Sequence, residues 1–149
     1  MGDYVPFYFA PRSPMLYVIN KGGVPGYAGG QPEVVHLVSG AEQVDAAGCD
    51  WVFTDGHADM PPLTSFYDDF ANLAKIDWGV MKSRYWHDTN DYPDRERRRQ
   101  AEFLVHESCP WELISKIGVH NRQTAEAVRK ILADVIHKPD IEVETNWYY

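Results

Sequence analysis

The chain has 149 residues, 44% of them hydrophobic, and its 14 Lys and Arg against 22 Asp and Glu give a formal net charge of -8. This composition excludes a disordered or fibrous chain, and the length suits one domain able to bury a core. No run of about 18 apolar residues occurs, so no membrane-spanning helix is expected, and the opening MGDYVPFYFA lacks a basic stretch followed by an apolar one, so no secretory leader is expected either.

Acidity argues against simple nucleic-acid binding, which draws mainly on Lys and Arg. The charge is uneven, however. Residues 1–74 hold two basic and nine acidic residues, whereas residues 75–149 hold twelve and thirteen. Arg95, Arg97, Arg98 and Arg99 crowd together in the second half, so whole-chain charge leaves the partner open. Cys49 and Cys109 lack metal-ligand spacing and fit a reducing cytoplasm.

In chain order, Tyr4–Phe9 is aromatic and β-prone and predicts a strand, either at a sheet edge or left by the loss of an upstream portion. Pro11 and Pro14 break it, and an apolar segment resumes over Met15–Asn20. Five glycines between Gly22 and Gly30 form a long loop without phosphate-binding spacing, a surface loop or a lid. Val34–Val38 reads as a strand, Ala41–Ala47 as a helix ended by Gly48, and Trp51–Thr54 as a strand. Thr64 is expected to cap a helix running to Ile76, with Phe66, Phe70, Leu73 and Ile76 near one face. Asp88–Pro93 reads as a turn and Ala101–His106 as a strand. A helix with Pro110 in its first turn is expected next, then a short strand over Ile117–His120. Thr124–His137 carries the strongest helical period, and Ile141 onward alternates like a closing strand. The pattern predicts a mixed α/β or α+β single domain.

Three stretches can carry chemistry. In FYFAPRSPM, Arg12 stands beside aromatics and two prolines, either a rigid corner for a planar or phosphorylated ligand or simply a core strand and its turn. In FTDGHAD, Asp55 and His57 follow a strand end, where a histidine can orient a substrate or move a proton. Further metal ligands for Asp55, His57 and Asp59 are not evident. In RRRQAEFLV, Glu102 sits where a basic run becomes an apolar strand. A carboxylate there can stabilise developing positive charge, or belong to a solvated charge run. If Phe103 and Val105 face the core, Glu102 and Leu104 share the other face.

FYFAPRSPMLY, WVFTDGHA, the Ile76-Asp77-Trp78 step and RQAEFLV, in that order, resemble the DarT family of DNA ADP-ribosyltransferases, toxins of DarT–DarG systems. The resemblance implies an α+β ADP-ribosyltransferase fold whose short sheets form a cleft for NAD. It implies transfer of ADP-ribose from NAD, as substrate, onto a base of single-stranded DNA, most simply thymine. By the same resemblance Glu102 is the catalytic glutamate, and His57 lies near the substrate. Tyr8, Phe9, Arg12, Ser13 and Met15 would form the NAD-facing wall or its support. Cleaving the nicotinamide–ribose bond develops positive charge at the ribose carbon, which Glu102 can stabilise, while His57 is a candidate to accept the base proton. Arg97, Arg98 and Arg99 are expected to guide DNA phosphates.

A DarG-type macrodomain antitoxin is the implied protein partner, and no metal or membrane is called for. The family also carries an upstream segment with a His-containing NAD-binding element and a further arginine. This sequence starts at the aromatic stretch, so a truncated member or fragment is expected. The alternatives are a non-catalytic remnant that binds nucleic acid or an antitoxin, and a transferase acting on protein or RNA.

Overall fold

A computed structural model describes residues 2–60 and 62–149. In chain order it runs β1 (Tyr4–Tyr8), α1 (Pro14–Asn20), β2 (His36–Ser39), α2 (Ala41–Ala46), β3 (Trp51–Thr54), β4 (Phe66–Tyr67), α3 (Trp78–Lys82), α4 (Arg95–Arg99), β5 (Glu102–His106), β6 (Ile114–Val119), α5 (Arg122–Ile131) and β7 (Asp140–Val143). The chain gathers into two compact units, Met1–Pro14 with Asp45–Cys109, and Met15–Val44 with Pro110–Tyr149.

The first unit is built on a sheet of order β1-β5-β3-β4, antiparallel at every junction. Proline lacks an N–H and is tolerated in a strand at the edge of a sheet, which is where Pro6 of β1 lies. The central strand β5 carries Phe103, Leu104 and Val105 at 5%, 2% and 0% exposure. Leu104 shares a face with Glu102, as a period of two requires, yet that face is buried as well. Around the sheet, Trp51 stacks on Phe70 at 4.3 Å and on Phe103 at 5.2 Å, and Phe53 stacks on Tyr67 at 5.3 Å. Fully burying one such ring contributes roughly 1.5–3 kcal/mol, so these aromatics anchor the unit.

The helix expected from Thr64 to Ile76 is absent. Phe66 and Tyr67 instead extend the sheet, paired with Thr54 and Phe53. The Asp69 carboxylate then accepts the Ala71 N–H at 2.8 Å and starts a short 3-10 turn over Phe70–Lys75. Consecutive aspartates favour a cap over a helix interior, and β-prone aromatics gain more beside Phe53. Two short helices escape the sequence pattern. Asp77 caps α3 by accepting the Val80 N–H at 3.0 Å, and α4 follows Asp94, which takes φ 76°. Five residues are too few to display a helical period.

In the second unit the sheet order is β2-β6-β7, with β2 antiparallel and β7 parallel to β6. A parallel neighbour requires a crossover, which α5 supplies. Asn121 caps α5 by accepting the Thr124 N–H at 2.9 Å, so the helix starts before Thr124 and ends at Ile131 rather than His137. Ile131 and Ile136 are 76% and 102% exposed and Leu132 and Val135 only partly buried, so extending the helix would gain little burial. The helix expected after Pro110 is only a 3-10 turn over Trp111–Leu113 before β6. The closing strand stops at Val143. Trp147 sits in a 3-10 turn, with its ring where a side chain at Gly118 would stand. Among the described residues no helix is long and apolar enough to cross a membrane.

Candidate active site

Glu102 opens β5 and stands opposite Tyr8 of β1 in the strand register. Its Oε2 accepts the Ala58 N–H at 3.3 Å. Burial pushes the Glu102 carboxyl above the usual carboxylate range, and the Ala58 N–H and nearby His57 pull it partly back, while Asp59 opposes them. The Tyr8 hydroxyl is itself pushed up, first by burial and then by the charge of Glu102, which keeps it a protonated donor. The first unit thus holds a half-buried carboxylate, a backbone N–H and a phenol together.

The Ala58 N–H is set by the loop that leaves β3. Asp55 accepts the Ser65 N–H at 3.0 Å and the Tyr67 hydroxyl at 3.3 Å. The His57 N–H donates to the Arg97 carbonyl at 3.1 Å, and the His57 carbonyl accepts the Thr64 hydroxyl at 2.8 Å. At the ring, Nδ1 accepts the Asp59 N–H at 3.2 Å. That contact needs a lone pair on Nδ1, so the neutral ring carries its proton on Nε2. Arg97 grips Asp94 through Nε at 2.6 Å and Nη2 at 2.8 Å, and its Nη1 donates to the Thr64 hydroxyl at 3.2 Å. The same Nη1 lies 3.6 Å from Asp55. These bonds draw the Arg97 side chain inward as a strut of the His57 loop.

The three adjacent arginines have different surroundings. Arg99 is 3% exposed. Its guanidinium donates to the carbonyls of Val80, Met81, Ser83 and Arg12, the last at 2.9 Å. It closes the carbonyl end of α3, where a cation is favoured, and holds the Pro-Arg-Ser-Pro corner in place. Arg98 is half-exposed, paired with Asp77 and Asp94 at 3.2 Å each. It borders a cleft of about 590 Å³ with Asp77, Ser83, Tyr92 and Arg95. Of the three, Arg98 presents the most surface to a phosphate.

Phe9 packs its ring edge-on to Trp78, Phe53 and Phe103 at 5.7–6.4 Å, which makes it support for the sheet. Ser13 is buried at 5% exposure and Arg12 is half-buried. Met15 begins the second unit and is 52% exposed. Sequence reasoning did not single out Thr54, Asp94 or the Ala58 N–H, and it read Thr64 as a helix cap. A threonine at a strand end before Asp-Gly was the one available signal.

The chain thus combines two short sheets with a half-buried carboxylate held at the head of a central strand. The sequence matches the family described as DarT, ssDNA thymidine ADP-ribosyltransferase, over residues 1–149, and the chain belongs to that family. It is 42% identical over 149 residues to a DNA ADP-ribosyl transferase of Thermus sp. (strain 2.9), covering 99% of this chain and 69% of that one. The solved structure of Thermus sp. 2.9 DarT in complex with NAD+ matches at TM-score 0.91 and 41% identity, covering 99% of this chain and 73% of that chain. The structure of the same protein in complex with ADP-ribosylated ssDNA matches at TM-score 0.92 and 41% identity, covering 99% and 69%. The chain therefore spans about two thirds of the length of its curated Thermus relative. The expected α+β ADP-ribosyltransferase fold is borne out.

Proposed function

We propose that this chain transfers ADP-ribose from NAD onto thymine in single-stranded DNA, with Glu102 acting on the reacting ribose. One observation carries the residue assignment: the Glu102 carboxylate is half-buried and tethered by the Ala58 N–H of the Asp-Gly-His loop. The donor set suits the nicotinamide ribose of NAD. A carboxylate accepts from a ribose hydroxyl, and a protonated Tyr8 stands beside it to donate.

NAD supplies an activated carbon–nitrogen bond whose electron pair leaves with nicotinamide. Glu102 binds the ribose hydroxyl and stabilises positive charge developing at the ribose carbon. Burial also makes Glu102 a stronger base than an exposed carboxylate, suited to take the proton lost by the base nitrogen. With Nδ1 occupied by the Asp59 N–H, His57 offers Nε2–H as a donor, a different role from the proton acceptor expected from sequence. Tyr8 and the Arg12–Ser13 corner contribute to the NAD-facing wall, and Phe9 supports it. Arg98 contacts the strand phosphates, while Arg97 and Arg99 act from inside.

Both units are read as one transferase domain, since the family description extends over residues 1–149. Family membership also supports a toxin role in the cytoplasm, where NAD and single-stranded DNA coexist, with a DarG-type macrodomain antitoxin as partner. The test incubates the chain with NAD and thymine-containing single-stranded oligonucleotides and follows nicotinamide release and oligonucleotide mass. A product one ADP-ribose heavier, lost in Glu102→Gln, is expected. No product, or equal product from Glu102→Gln, rejects the reading.

A further inference from the structure

Thr54 ends β3 and is fully buried, at 0% exposure. The ladder between β3 and β5 pairs Trp51, Val52 and Phe53 with Val105, Leu104 and Phe103, so Thr54 stands level with Glu102. There the Thr54 hydroxyl accepts the Glu102 N–H at 3.0 Å. The same hydroxyl donates its one proton to the Gly56 carbonyl at 2.7 Å. A single buried oxygen therefore joins the head of β5 to the turn that carries His57 and Ala58. That turn returns to Glu102 through the Ala58 N–H.

We propose that Thr54 is a positioning residue for the transfer reaction, its hydroxyl fixing the separation between the Glu102 carboxylate and the Ala58 N–H that holds it. The inference rests on Glu102 acting on the reacting ribose. The two bonds of the hydroxyl stand or fall together. Without it, the part-buried Glu102 N–H and the buried Gly56 carbonyl both lose this partner, and the loop loses its link to the head of β5. The charged or titratable groups around the carboxylate are Tyr8 from β1 and His57 and Asp59 from the loop. Of the influences on Glu102, the Ala58 N–H is the one that Thr54 sets.

The test compares Thr54→Val, which keeps volume and branching, with Thr54→Ser, which keeps the hydroxyl. Thr54→Val is expected to lower kcat about 10- to 100-fold, as displacement of a reacting group does. Both KM values, for NAD and for single-stranded DNA, should stay within about threefold. Titration of the Glu102 side-chain carboxyl by carbon NMR should shift to higher pH in Thr54→Val, because the Ala58 bond that lowers it is loosened. Thr54→Ser should restore kcat and the titration to near wild type. If Thr54→Val does not fold, Thr54→Cys replaces it, being close to serine in volume but a weak hydrogen-bonder.

A folded Thr54→Val with wild-type kcat and an unshifted Glu102 titration overturns the inference. So does an equal loss of kcat in the serine and valine variants that follows their melting temperatures. Glu102→Gln separates the two claims. If it transfers ADP-ribose at the wild-type rate, the reading of Glu102 fails, while the NMR titration still decides whether Thr54 holds the carboxyl in place.

Discussion

Arg97 fills the space that a side chain on Gly56 would need: a Cβ there would collide with Nη1 and stand 2.9 Å from Cζ. The glycine is thus required by the arginine rather than by its own backbone conformation. Through this contact α4, which precedes the Glu102 strand, determines the shape of the loop that holds Glu102.

Gly56→Ala should therefore act at a distance. The added methyl displaces Arg97 from Asp55 and Thr64, loosens the His57 loop and shifts the Ala58 N–H. Overpacking of this kind costs about 1–3 kcal/mol, and a small misplacement of a reacting group can cost up to 100-fold in turnover. Urea unfolding and oligonucleotide modification should both register the loss. Arg97→Ala removes the obstacle, so the double variant should be less destabilised than the sum of the singles. Strict additivity would show that the two residues do not compete for space.

Arg98 and Arg99, adjacent in sequence, should behave oppositely. Arg99→Met leaves several carbonyls without a donor, each buried acceptor costing about 1–3 kcal/mol, so the variant should melt far lower or fail to fold. Arg98→Gln removes a half-exposed cation and should leave the melting temperature nearly unchanged, since its ion pairs are surface pairs. If Arg98 contacts a strand phosphate, the slope of log affinity against log salt should fall by about 0.7 for single-stranded DNA. An unchanged slope removes Arg98 from the DNA surface.

The strands β3 and β5 were legible because their apolar runs are short, dense and bounded by charge or turn residues. Gly48 marked the end of α2, where it takes φ 74°. Motif order singled out Glu102 and His57, and the fold sets the first at the head of β5 and the second in the loop that leaves β3. The 64–76 segment was not legible, because its spacing fits a helix while Phe66 and Tyr67 are captured by β3, a tertiary preference with no local signal. The arginine run was misleading for a related reason. Sequence shows three equal cations, and only packing separates a loop strut, a surface charge and a buried clamp on carbonyls.

The pH dependence of transfer follows from Glu102. Burial raises its carboxyl above the usual carboxylate range, and the carboxylate is the reactive form. The acid limb of kcat should therefore lie above the pH at which an exposed glutamate ionises, as a pH–rate profile will read. For stability the sign reverses. A raised folded-state value means the group stabilises the fold fully below the unfolded carboxylate value and loses that contribution as pH rises through the folded one. Glu102→Gln should accordingly melt at an equal or higher temperature than wild type at neutral pH, with the advantage shrinking in acid. A variant that melts lower at neutral pH, by a margin that persists in acid, would show that the carboxylate is not under strain.

Tyr148 gives a separate test in the second unit. Its ring is 3% exposed, and its hydroxyl donates to the Val34 carbonyl at 2.7 Å and lies 3.3 Å from the Gly118 carbonyl. Burial pushes its pKa up to about 12, because a phenolate would be desolvated there. The neutral phenol therefore stabilises the fold fully below the unfolded tyrosine value near pH ~10, and that contribution is lost as pH rises through about 12. Tyr148→Phe leaves the Val34 carbonyl without this donor and should cost about 0.5–1.5 kcal/mol at pH 8, measured by urea unfolding. Because phenylalanine has no proton to lose, the gap between the two proteins should narrow steadily in strong alkali. A gap that stays constant across that window would mean that the hydroxyl of Tyr148 titrates as it does in the unfolded chain, and that burial does not protect it.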